Sequence, residues 1–196
     1  MSGRDDIEQT ILEGDSYDRA ATLEDRVVPL SLGEKILACV LTLASSSLLA
    51  PLLYYRRSHI EQLEGTQTLG ETLSPALATL TLFGIVTTFT FGLVLVLLLA
   101  SIQSRTLSIE EARRLVRIED MVMVFAAGGI LAVVSALLFA SIGAISVDAT
   151  ARLYETGVTF YSSDGPLSVD SRLVSGLGLL CAAILYGLFR RYRRER

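Results

Sequence analysis

Residues 72–104 read TLSPALATLTLFGIVTTFTFGLVLVLLLASIQS, thirty-three positions without an Asp, Glu, Lys, Arg or His. A helix rises about 1.5 Å per residue and the hydrocarbon core of a bilayer is about 30 Å thick, so about 20 apolar residues cross it. This run meets that length with residues to spare. Its start is marked by Ser74-Pro75, where a hydroxyl caps orphan N–H groups and Pro occupies a first-turn position that needs no N–H.

Working outward, three more charge-free runs lie at 36–55, 121–147 and 173–189. The first two are long enough to span. The last has seventeen residues, but Arg190 and Arg191 can bury their stems and lift their charged heads to the interface. Ser31 with Glu34, and Ser108 with Glu111, have capping-box spacing ahead of the first and third runs. Across 196 residues, 51% are hydrophobic and 19% charged, which argues against a cytosolic enzyme, a nucleic-acid-binding module or a disordered chain. The expected fold class is an all-α membrane protein: a four-transmembrane-helix bundle over residues 31–189, with spans near 33–55, 75–102, 121–146 and 172–189. The expected location is the cell membrane, as a multi-pass protein.

Orientation follows from the basic residues. Arg4, Arg19, Arg26, Lys35, Arg105, Arg113, Arg114, Arg117, Arg190, Arg191, Arg193, Arg194 and Arg196 share one side, while Arg56, Arg57, Arg152 and Arg172 share the other. The positive-inside rule therefore predicts cytoplasmic N- and C-termini and a cytoplasmic middle loop. Lys35 is the only Lys beside sixteen Arg, and Asn is absent, a usage that resembles GC-rich, salt-adapted prokaryotic coding. Without Asn there is no N-glycosylation acceptor. Cys39 and Cys181 lie inside apolar runs and read as small buried hydrophobes, with no CxxC or Cys/His cluster.

Outside the spans, residues 1–30 form an acidic tail expected to be largely disordered, with an apolar patch at Ile7, Ile11 and Leu12. The acidic residues rule out a signal peptide there. Residues 108–120 read as an amphipathic cytoplasmic helix: Glu110 stands four before Arg114, while Ile109, Ala112, Leu115 and Val116 share a face. No Pro or Gly separates it from the third span, so it either runs straight into that span as a helical extension, the plainer reading, or bends along the inner interface. In the first external loop His59, Glu61 and Glu64 make too loose a set for a metal. In the second, residues 158–161 and 167–169 flank Ser-Ser-Asp-Gly-Pro and suggest a small β-hairpin. Residues 190–196 form an Arg-rich cytoplasmic tail, where Arg190, Arg191, Arg193 and Arg194 are the expected contact for anionic lipid or a partner.

Helices in lipid associate through close backbone approach at small residues and through side-chain hydrogen bonds. Candidate packing positions are Ala38, Thr42 and Ser46 in span one, Gly84, Thr88 and Gly92 in span two, Gly128, Ala132, Ala136 and Ala140 in span three, and Gly178 and Ala182 in span four. Pro51 should kink span one and free a carbonyl for a nearby hydroxyl. Spans one and three each follow a capping box and carry a four-step small stripe, as a duplicated helical hairpin would.

Chemistry is sparse. The runs hold no ionisable residue at membrane depth, and neither HExxH nor a Walker loop occurs. No catalytic, cofactor-binding or metal residue is assigned, and no cofactor or nucleic acid is expected. The expected function is non-catalytic: a scaffold or accessory subunit of a membrane complex, with the bilayer and a protein partner or a second copy as partners. The alternative is a small transport or channel component lined by Ser45, Ser46, Ser47, Thr87, Thr88 and Thr90.

Overall fold

The computed structural model describes residues 16–24, 26–54, 72–104, 106–145 and 169–193, with single positions at 148, 152 and 155. Its elements are α1 (Ser16–Leu23), α2 (Leu32–Ser45), a 3-10 turn (Ser46–Leu48), β1 (Thr72–Leu73), α3 (Pro75–Ser104), α4 (Ile109–Ile145), β2 (Val169–Asp170) and α5 (Ser171–Arg193). Four helices, Leu32–Tyr54, Pro75–Ser104, Ile109–Ser141 and Ser171–Arg193, are long and apolar enough to cross a membrane. This is the architecture of a multi-pass membrane protein.

Each helix starts where local chemistry directs it. Ser31 Oγ accepts from the Glu34 N–H at 3.3 Å while Glu34 Oε2 accepts from the Ser31 N–H at 2.8 Å, closing the box before α2. Ser108 and Glu111 repeat this before α4, and Ser74 Oγ accepts from the Leu77 N–H before α3. These bonds satisfy donors that the first helical turn leaves open.

The helices pack as an antiparallel bundle. In α2 the buried face runs Leu32, Lys35, Ile36, Cys39, Val40 and Leu43, the three-and-four step of a helix stripe. Large apolar side chains on the outer faces, among them Phe83, Leu97, Leu131 and Leu138, are exposed, as suits helices whose surroundings are lipid. One end of the bundle brings together the start of α2, the end of α3, the start of α4 and the end of α5. It carries Lys35, Arg114 and Arg190 and is termed the basic face.

At the opposite end, the lead-ins to α3 and α5 meet through a two-stranded antiparallel pair, Thr72 opposite Asp170 and Leu73 opposite Val169. Val169, placed by sequence in the second strand of a hairpin, thus pairs with the lead-in to α3. The rest of that hairpin lies outside the described residues, as do His59, Glu61, Glu64, Ile7, Ile11, Leu12 and Arg194.

Two features differ from the sequence expectation, and a third follows one of the two paths it allows. Residues 16–23, read as part of a disordered tail, form α1, which rests on α4 through buried Tyr17 and Ala20. Its order comes from that tertiary contact, since its own apolar stripe is too short to signal a helix. Residues 108–120 take the straight path that the absence of Pro and Gly before Met121 allows: α4 continues from Ile109 through the third span, and at about 1.5 Å per residue its thirty-seven residues extend about 55 Å. One buried row, Ala112, Val116, Met123, Ala126, Val133 and Ala136, unites extension and span. Gly128, counted in the small-residue ridge, faces open space, and its neighbour Gly129 makes the contact instead.

Candidate functional site

Where α2 and α4 meet at the basic face, their side chains change from apolar to ionic. Lys35 is fully buried, Glu119 is 1% exposed and Asp120 is 9% exposed. Lys35 Nζ donates to Asp120 Oδ1 at 2.8 Å and lies 2.9 Å from Glu119 Oε1. That second contact is off the hydrogen-bonding direction and is ionic in character. The Tyr17 hydroxyl, reaching down from α1, donates to Glu119 Oε2. The Val27 N–H, in the link between α1 and α2, donates to Asp120 Oδ2 at 2.8 Å. Arg26 contributes a further positive charge near Asp120.

The local placement explains why the ions are paired. Lys35 sits in the first turn of α2, where the helix dipole already presents positive charge and a cation is unfavourable. Two carboxylates one after another on α4 reverse that field. A buried ion without a partner is costly, so burial of all three demands the geometry observed. Four chain segments converge here: α1, the link to α2, α2 itself and α4. The arrangement can hold these segments in one register. Among the described residues no group of three or more His, Cys, Asp or Glu side chains is placed to hold a metal.

Sequence reasoning misses the cluster because Lys35 reads as one more basic anchor and Glu119-Asp120 as the polar side of an amphipathic helix. One signal points to it. Lys35 immediately precedes the charge-free run at Ile36, and Glu119-Asp120 immediately precede the run at Met121. Opposite charges therefore flank two spans at the same depth on the same face.

The proposed packing residues fall mostly along three close approaches. A Cβ on Gly84 would stand 2.9 Å from Gly129 O, and one on Gly129 would stand 2.8 Å from Thr88 N, so the backbones of α3 and α4 touch. A Cβ on Gly178 would meet Leu43 O at 3.0 Å and would overlap Ser46 Oγ. A Cβ on Gly92 would lie 2.7 Å from Leu185 and 3.3 Å from Cys39, where α2, α3 and α5 converge. Ala132, Ala136, Ala140 and Ala182 are buried, whereas Ala38 and Thr42 are half-buried. Ahead of Pro51 the α-helix tightens into the 3-10 turn, and here Ser175 Oγ accepts from the Ala50 N–H at 3.1 Å and donates to Ser46 O at 3.5 Å.

Three of the hydroxyls of the alternative channel reading are engaged elsewhere: Ser45, Ser46 and Ser47 donate to carbonyls of their own helical segment at 2.7–2.8 Å. Thr88 is pressed into the glycine contact with its Oγ1 buried and, among the described residues, without a hydrogen-bond partner, while Thr87 is half-buried and Thr90 is exposed. Arg190, Arg191 and Arg193 lie on the last turns of α5 and are exposed, with the Arg193 guanidinium 5.9 Å from the Phe189 ring centroid. No known protein family, characterised protein or solved structure matches the chain, so its function has to be read from this geometry.

Proposed function

We propose that the chain is a non-catalytic scaffold or accessory subunit of a complex in the cell membrane. In this reading its termini and the α3–α4 connection face the cytoplasm, and a protein partner or a second copy binds there. The observation that carries it is the locked extension of α4. Twelve residues of this helix precede the apolar run, and the Lys35 cluster fastens them to α1 and α2. Such a platform offers a fixed outer surface, with Ile109, Arg113, Arg117 and Ile118 exposed. Rigid elements present a binding surface without the ordering cost that a flexible tail incurs. The small-residue contacts and the self-bonded Ser45, Ser46 and Ser47 favour this reading over a hydrated path, because they leave a solute few groups to replace its water, and the Thr88 hydroxyl is enclosed at the Gly129 contact.

Site-specific photo-crosslinking in native membranes tests it. A photoreactive residue at Arg113 should give one adduct of discrete mass, either with a partner or with a second copy. The same residue at Leu138, on the apolar surface, should give lipid adducts only. Solute or ion flux through the purified protein in liposomes, with no adduct at Arg113, would overturn the reading in favour of transport.

A further inference from the structure

Beside the ion cluster, on the other flank of α1, the basic face opens into a cleft of about 1180 Å³. It lies between α1, the first turns of α2 and the last turns of α3 and α5. Leu37, Leu99, Ile102 and Phe189 give it an apolar floor, while Arg26, Arg190 and Arg193 stand around it. Glu34 also lines it, its Oε2 accepting from the Ser31 N–H and hydroxyl at 2.8 Å each, so the lining sets three guanidinium groups against one carboxylate. Among the described residues none of the three guanidinium groups lies within salt-bridge distance of a carboxylate, although Arg26 Nη1 donates to Leu30 O at 3.2 Å and Arg26 adds to the field at Asp120.

Among the described residues, two buried polar atoms of this lining have no hydrogen-bond partner: Arg26 Nε, a donor, and Gln103 Oε1, an acceptor. Each such group calls for a partner, and a bound molecule is one source of it. The molecule must bring anionic acceptors for the guanidinium groups and a donor for Gln103. It must also have an apolar part. The floor leads outward along Leu37 and Tyr186, both exposed on the outer faces of helices that are long and apolar enough to cross a membrane. A soluble anion has no use for that exit, whereas acyl chains do. The cleft also exceeds the volume that small-molecule sites usually occupy, about 300–1,000 Å³.

We infer that this cleft binds one anionic phospholipid with a hydroxyl-bearing headgroup, of the phosphatidylglycerol class. Its phosphate lies among Arg26, Arg190 and Arg193, its headgroup hydroxyl donates to Gln103, and its chains leave past Leu37 and Tyr186. Guanidinium groups suit this role because their planar N–H forks match phosphate oxygens. The inference rests on the helices lying in a bilayer and is independent of the scaffold reading, whose failure at Arg113 would leave it standing.

The test uses the full chain in a neutral detergent with defined lipids, read by native mass spectrometry. One phosphatidylglycerol per chain should be retained in preference to phosphatidylcholine. Arg190→Gln with Arg193→Gln should lower retention about tenfold or more. Arg113→Gln with Arg117→Gln, which removes the same charge from the outer face of α4, should not. Gln103→Leu should weaken phosphatidylglycerol but leave phosphatidic acid, which lacks the headgroup hydroxyl, unchanged. Equal loss in the two double variants would mean general charge attraction and would overturn the site. Equal retention of phosphatidylcholine would do the same. Full displacement by glycerophosphoglycerol, the headgroup without chains, would show a soluble-anion site instead. Far-UV circular dichroism of each variant establishes that it is folded before binding is read.

Discussion

Replacing Lys35 by Met keeps an unbranched stem, one heavy atom shorter, and removes its charge. Two carboxylates then remain side by side in a site where Glu119 is 1% exposed. The lysine's attraction to them acts across 2.8 Å to Asp120 and 2.9 Å to Glu119. At an effective dielectric constant of about 20 each is worth roughly 6 kcal/mol of attraction. In the intact cluster most of that is cancelled by withdrawing three ions from water, so the net contribution of the cluster is small. In the variant the withdrawal persists for the carboxylates and the attraction does not. The expected loss of stability is about 3–5 kcal/mol, a large share of the 5–15 kcal/mol that is typical of a folded domain. A companion variant separates charge from shape. Lys35→Met with Glu119→Gln and Asp120→Asn leaves no ion, yet keeps an acceptor for the Tyr17 hydroxyl and for the Val27 N–H. It should recover most of the loss. The assay is unfolding by a denaturing detergent in mixed micelles, followed by helical circular dichroism because the chain has no Trp. If Lys35→Met stays within about 0.5 kcal/mol of the parent, the size of an ordinary surface substitution, the cluster is not the fastening described. A triple variant no more stable than the single one would also refute the argument.

Gly129→Ala should cost about 1–3 kcal/mol by the same assay, because its Cβ would meet the Thr88 backbone at 2.8 Å, while Gly128→Ala, with open space beside it, should be silent. Ser175→Ala removes the acceptor of the Ala50 N–H and should cost about 1–3 kcal/mol, with local hydrogen exchange at Ala50 rising in step. In a Cys181→Ala background, Tyr54→Cys should react with an impermeant thiol reagent in intact cells and Ser104→Cys should not; labelling at Ser104 alone would reverse the orientation.

The spans are legible in sequence because a run such as 72–104 carries its own explanation: length, absence of charge and a Ser-Pro start are all local. The capping boxes are legible for the same reason, each being a bond between residues three apart. Gly129 is harder. Gly128 and Gly129 are adjacent, and which of them faces α3 depends on the rotation of α4, set by partners far along the chain. The helix at 16–23 and the ion cluster depend on separations of 102 and 85 residues, across which sequence patterning carries no phase. The basic cleft is less visible still, since its walls come from α1, α2, α3 and α5, and its arginines come from opposite ends of the chain with no motif in common.

The bundle's ties alternate between its ends. At the basic face ions join α2 to α4, and at the far face the strand pair Thr72–Leu73 with Val169–Asp170 joins the starts of α3 and α5. Sliding either pair by one helical turn, about 5.4 Å, would break its tie. Between the pairs the bundle relies on glycine contacts, joined near Gly178 by Ser175, which bonds α5 to Ala50 and Ser46. The molecule is thus built like a frame whose two stiff members are pressed together where Gly84 meets Gly129 and pinned at Ser175. Parting the members would mean drawing that pin and opening that seam together.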